Sequence, residues 1–156
     1  MKNVKKEQIH QLMSWTLVGL WMAVIFYLSH QPAEASSELS SGITHLIIQT
    51  IQWVLPFGEL NMDSLHFYVR KGAHFFAYFT LGLLVVHALF TSRQRGFRGM
   101  TLSLMICAIY AISDEVHQLF IPGRSGEVTD VIIDSAGASV GIMLYGIFNY
   151  LLNKKK

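Results

Sequence analysis

Charge is scarce in this chain. Asp, Glu, Lys and Arg make up 14% of 156 residues against 52% apolar types, which excludes an ordinary water-soluble composition and points to a membrane protein. At this length several spanning segments leave little room for a soluble domain beside them, so a single membrane domain over 1–156 is expected. The one cysteine, Cys107, lies in an apolar run; an intrachain disulfide is excluded and a small buried hydrophobe is its expected role. There is no internal repeat and no low-complexity tract. The net charge of +2 forms no basic face, because the Lys and Arg residues sit beside apolar segments, so nucleic acid is not an expected partner.

Long apolar runs are what the chain does have. Four are long enough to cross a hydrocarbon core of about 30 Å: 12–29, 73–90, 100–120 and 131–152. The first follows Lys2, Lys5 and Lys6, yet its apolar stretch exceeds a signal-peptide core and His30-Gln31-Pro32 is no small-residue cleavage site, so it reads as a retained span. The third is uncharged from Met100 to Ile112 and should continue as helix to Phe120, before Pro122-Gly123 stops it. The fold class is therefore all-α, a polytopic bundle of four transmembrane helices. Between the first two spans, 43–55 carries Ile43, Leu46, Ile47, Ile51, Val54 and Leu55 at a helical period but is too short to span, and is expected as an extracytoplasmic interfacial helix. Placing both termini in the cytoplasm puts nine of the twelve Lys and Arg residues inside, as the positive-inside rule asks.

Counting from the cytoplasmic anchors gives depth. His74 precedes Arg93 by 19 residues and Asp134 precedes Lys154 by 20, so at about 1.5 Å per residue both stand roughly 30 Å away, at the outer boundary. Asp114 is 16 residues after Arg98 and should sit slightly deeper, with His117 and Gln118 a turn above it. Residues three or four apart share a helix face, which gives the stripes Lys71-His74-Tyr78-Gly82, Tyr110-Asp114-His117-Gln118 and Asp130-Asp134-Gly137-Gly141. The pair Gly137 and Gly141 admits a close backbone, so the face with Asp134 should point into the bundle. Glu115, about 100° around from Asp114, is expected to face elsewhere.

Ionisable groups near lipid are costly and mark function, so three polar stripes at one level imply one site. Asp114 and His117 read as an acid-base pair assisted by His74; the alternative is that Asp114 and Gln118 only bond neighbouring helices. Lys71 and Arg124 read as phosphate holders or as headgroup anchors. Gln118, Tyr78, Glu115, Asp130 and Asp134 complete the binding candidates, although Tyr78 and Tyr110 also suit core hydrogen bonding and Asp130 suits a helix cap. His74, His117, Asp114 and Asp134 would hold zinc or another divalent metal if their helices meet. Their spacing matches no compact metal motif, so no metal ligand and no cofactor is assigned.

The runs Arg70-Lys71-Gly-Ala-His74-Phe-Phe-Ala-Tyr78-Phe-Thr-Leu-Gly82, Asp114-Glu115-Val-His117-Gln118, Pro122-Gly-Arg124 and Asp130-Val-Ile-Ile-Asp134-Ser-Ala-Gly137 together resemble the VanZ-like family of small bacterial membrane proteins. Ser29-His-Gln31-Pro32 resembles the family's usual end to its first span. Two positions vary: Ala77 stands where Glu often precedes the tyrosine, and position 134 is Asn in some relatives. The resemblance implies a multi-pass protein of the bacterial cell membrane, linked through the family's founding member to tolerance of the glycopeptide antibiotic teicoplanin. With the polar site at the outer leaflet, the expected partners are membrane lipids, a lipid-linked cell-wall precursor or the antibiotic itself. One reading is a lipid-headgroup hydrolase or transferase. The others are a noncatalytic binder or transporter, favoured by the lack of an activated nucleophile, since Ser113 and Ser125 have no motif context, and a structural partner of cell-wall enzymes.

Overall fold

Each apolar run forms one helix: α1 Lys2–Ser29, α2 Met62–Thr91, α3 Gly96–Gln118 and α4 Val128–Lys154. The computed structural model describes residues 2–38, 41–43, 46 and 62–154, and there is no strand among them. The expected interfacial helix over 43–55 lies, apart from Ile43 and Leu46, outside the described residues. All four helices are long and apolar enough to cross a membrane.

Their bounds differ from the apolar runs for a physical reason. Hydropathy marks where side chains enter hydrocarbon, whereas the backbone ladder continues as long as local propensity allows. Thus α1 begins at Lys2 rather than near 12, because Lys and Glu are good helix formers. Helix α2 begins at Met62 rather than 73, so Lys71 and His74 sit well inside it. Helix α3 ends at Gln118, two residues before the expected Phe120, where Phe120 and Ile121 tighten into turns by donating to the carbonyls of His117 and Gln118.

Helix α2 is the centre of the bundle. It packs against all three others, most extensively α4, and 44% of its apolar window is buried against 22–28% in the others. Leu81, Val85 and Ala88 of α2 meet Cys107 and Ala111 of α3 and Ala138 of α4 in a fully buried core. Cys107 is buried and free, as its setting in an apolar run implied. The outward faces carry exposed Leu20, Phe97, Ile109, Phe148 and other large apolar side chains, the surface that lipid would cover.

Backbone approach makes the α2–α4 seam tight. A Cβ at Gly137 would collide with the carbonyl of Phe75, one at Gly141 with the carbonyl of Phe79, and one at Gly82 would lie 2.5 Å from the carbonyl oxygen of Ala138. The face carrying Asp134 therefore does point into the bundle, as the glycine spacing implied.

Where α1 begins and α2 stops, Arg93 Nη2, two residues past α2, lies 3.1 Å from Glu7 Oε2, and the Gln11 amide donates to the Thr91 carbonyl. The buried acidic residues, with Gln118, gather at the other end. Asp114, Glu115, Gln118, Asp130 and Asp134 are all at most 5% exposed there, in a bundle whose large apolar residues face outward.

A candidate anion-binding cavity beside a buried carboxylate–histidine cluster

Four segments converge at this end: the C-terminus of α1, the stretch of α2 from Arg70 to Tyr78, the C-terminus of α3, and the 119–127 connection leading into α4. The connection is fastened to α1 by Arg124. Its Nε donates to the Gln31 carbonyl at 2.8 Å and its Nη2 to the Leu28 carbonyl at 3.2 Å, satisfying acceptors left over where α1 ends. Burial pushes the Arg124 guanidinium below its ordinary pKa, but a group of this basicity stays charged.

Lys71 is already neutralised. Its ammonium holds Glu127 Oε2 at 2.8 Å and also pairs with Asp130 Oδ1, above the ring of Phe67. Two carboxylates hold Lys71, so a phosphate would have to compete with them for its ammonium. Asp130 in turn faces this ammonium, so its main contact is an ion pair across α2 and α4 rather than a helix cap. The Lys71 hydrogen bond holds the Glu127 carboxyl below the usual glutamate range. A depressed carboxylate contributes stability above its unfolded pKa and loses it as pH falls through the folded value. A carboxyl-detected NMR titration should therefore find Glu127 below the ordinary range in wild type and moved upward in Lys71→Met, with an unmoved Glu127 disproving the pairing.

Behind the ion pair, His74 Nδ1 lies 3.3 Å from Asp134 Oδ1. Glu115 joins them, with one ligand-type atom from each residue all within 4.8 Å of one another. Glu115 thus faces a different seam from Asp114, as their separation of about 100° implied, and that seam is buried too. Helix α3 is wedged between α1 on one side and α2 and α4 on the other, so residues about 100° apart are both buried but in different seams. Glu115 Oε2 accepts the backbone N–H of Glu127 at 2.8 Å, which fixes the carboxylate and leaves Oε1 unpaired.

Asp114 belongs to the other seam. Ser29 Oγ donates to Asp114 Oδ2 at 2.7 Å, and Gln118 Nε2 donates to Ser29 Oγ at 2.7 Å, a buried chain tying the end of α1 to α3. His117 is not hydrogen-bonded to Asp114. Its Nε2 lies 3.1 Å from His30 Nδ1, and its ring stacks on Phe26 at 4.5 Å. The expected Asp114–His117 acid-base pair is therefore replaced by Asp114–Ser29 and His117–His30. Tyr110 donates to the Met22 carbonyl at 2.7 Å, the core role expected of it, and Ser113 bonds the Tyr110 carbonyl of its own helix.

A cavity of about 380 Å³ opens between α1 and α2. Its walls are Ile25, Leu28, Val69, Ala73 and Ala77, while Arg70, Arg124, His74, Tyr78, Ser29 and Asp114 bring polar atoms to it. Tyr78 Oη, Asp114 Oδ1, Glu115 Oε1, Gln118 Oε1 and both oxygens of Asp134 are buried without a hydrogen-bond partner among the described residues. Each such atom costs about 1–3 kcal/mol if left without a partner, so six at one end of a small bundle call for water, an ion or a ligand there.

Arg70, Ser29 and His30 are site residues that spacing did not single out. Ser29 and His30 stood in the Ser29-His-Gln31-Pro32 run; nothing in the sequence separated Arg70 from Lys71, its neighbour about 100° around α2. A family model described as VanZ/LLP1 matches residues 14–149, most of the chain and every one of these positions. No curated protein and no solved structure matches.

Proposed function

The chain belongs to the VanZ/LLP1 family, and from that premise we propose that this multi-pass membrane protein takes the phosphate-bearing head of an envelope lipid or lipid-linked precursor into its cavity. That uptake would be its connection to glycopeptide tolerance. Both termini lie in the cytoplasm in this reading, in keeping with the positive-inside rule, so the cavity faces the outer leaflet.

The observation that carries the proposal is the cavity's own composition. Arg70 and Arg124 supply fixed positive charge, Tyr78 and Asp114 present unpartnered polar atoms, and the walls between them are apolar. An amphiphile with an anionic head matches all three features, because guanidinium groups pair with phosphate while acyl or prenyl chains lie along apolar wall and lipid-facing helix. His74, on the same wall and beside Asp134, is the group placed to move a proton if the bound molecule is turned over.

A noncatalytic binder is favoured by one specific contact. Ser29 brings a hydroxyl to the cavity, but its Oγ is committed both to Asp114 and to Gln118, which leaves it held as a structural group rather than bared as a nucleophile.

The test is incubation of the purified chain in nanodiscs with a panel of anionic and zwitterionic envelope lipids and lipid-linked precursors, followed by mass spectrometry of bound molecules and products. A bound phosphate amphiphile is expected, with Arg70→Gln weakening it about ten- to a hundredfold, the scale of one charge-assisted hydrogen bond. Products would establish turnover, and binding without products would establish the binder. Absence of both, or Arg70→Gln binding as wild type, rules the reading out.

A further inference from the structure

We propose that His74, Glu115 and Asp134 form a binding site for one divalent metal ion of the zinc class, a property independent of whether the cavity takes a lipid. The three come from three helices, α2, α3 and α4, and offer one nitrogen and two carboxylate oxygens within 4.8 Å of one another. In a tetrahedral zinc site with ligand bonds of about 2.0–2.2 Å, neighbouring ligand atoms stand about 3.3–3.5 Å apart. The 3.3 Å between His74 Nδ1 and Asp134 Oδ1 already equals such an edge.

That contact does not satisfy Asp134 as a hydrogen bond would. Asp134 is 0% exposed and both of its carboxylate oxygens lack a hydrogen-bond partner, as does Oε1 of Glu115. Two carboxylates facing each other out of water repel strongly. The nearest ammonium, on Lys71, is already held by Glu127 and Asp130. A divalent cation cancels the two negative charges and gives the unpartnered oxygens a ligand at once.

The surroundings have the features of a metal site. The backbone N–H of Glu127 fixes Glu115 Oε2, an outer contact of the kind that orients a ligating carboxylate. Three protein ligands of mixed nitrogen and oxygen type suit zinc, cobalt or manganese, whereas calcium takes six to eight oxygens. His74 lines the cavity, so a coordination position left open would adjoin it.

The chain, purified without a histidine tag and stripped with chelator, is loaded with Zn2+ or Co2+ and passed over a desalting column. Metal content and the cobalt visible spectrum are then read. About one ion per chain is expected, with Asp134→Asn and Glu115→Gln each weakening binding at least about tenfold. His117→Ala, which disturbs the separate His30–His117 pair and the stacking on Phe26, should bind as wild type. Wild-type chain holding less than about 0.1 ion, or Asp134→Asn and Glu115→Gln binding as wild type, overturns the proposal. So does loss of the metal in His117→Ala with retention in Asp134→Asn, which would place the ion on the His30–His117 pair. If a variant does not fold, wild type alone decides: Zn2+ must raise its unfolding temperature and Co2+ must give a ligand-field spectrum of a nitrogen–oxygen site.

Discussion

Lys71→Met is expected to destabilise the bundle by about 3–5 kcal/mol, the cost of stranding a buried charge by removing its partner. The two carboxylates on Lys71 differ in what they can do when it goes. Glu127 has a side chain 45% exposed and can rehydrate; Asp130 is 2% exposed at the start of α4 and cannot. The loss should therefore come almost wholly from Asp130, and the double variant Lys71→Met/Asp130→Leu should recover most of it, because an apolar pair of similar volume is often no worse than a buried ion pair. Cys107 provides the measurement. It is the only cysteine, fully buried in the core, so the rate of labelling by a thiol reagent reports opening of the bundle. An increase of about two to three and a half orders of magnitude is expected for the single variant, on the scale of tenfold per 1.4 kcal/mol. A single variant labelled at the wild-type rate would mean that the pair is too hydrated to matter, and a double variant as unstable as the single would put the loss elsewhere.

The same ion pair shows where sequence reading stops. Apolar runs reveal four spans because hydrocarbon thickness imposes a length that no local competition disguises, and Gly137 with Gly141 reveals a close seam because nothing larger fits there. Counting residues from the basic ends also brings His74, Asp114 and Asp134 close to one level, and they do share one end of the bundle. What periodicity cannot supply is the neighbour across each face. Asp114 and Glu115 are adjacent in sequence, and their separation of about 100° says that they face different ways but not what each faces; α3 has two buried seams, so Asp114 meets Ser29 of α1 while Glu115 meets His74 and Asp134. His117 shares a stripe with Asp114 but stands a turn higher, where Phe26 of α1 and His30, just past its end, offer their rings. Arg70 and Lys71 are equal by composition. Only the placement of Glu127 and Asp130 turns Lys71 into a structural cation and leaves Arg70 to the cavity.

Gly137→Ala should weaken the bundle by about 1–3 kcal/mol, and Gly137→Leu should prevent the α2–α4 seam from closing. The atom in the way is the carbonyl oxygen of Phe75, which belongs to the backbone of α2 and cannot swing aside as a flexible side chain does. Relief requires the helices to separate, and the separation falls where it matters for the site. Phe75 follows His74 directly, and Gly137 lies three residues beyond Asp134, so widening this seam lengthens the 3.3 Å approach of His74 to Asp134. Gly137→Ala is thus expected to lower metal retention together with stability. Gly19→Ala is the matched control: a Cβ there meets nothing within 4 Å, and replacing a helix-interior glycine by alanine should be neutral or stabilising by up to about 1 kcal/mol. Unfolding by Cys107 labelling and metal content after desalting give both readouts on one preparation. If Gly137→Ala and Gly19→Ala behave alike, the backbones do not meet at this seam, and the convergence of His74, Glu115 and Asp134 loses its mechanical cause.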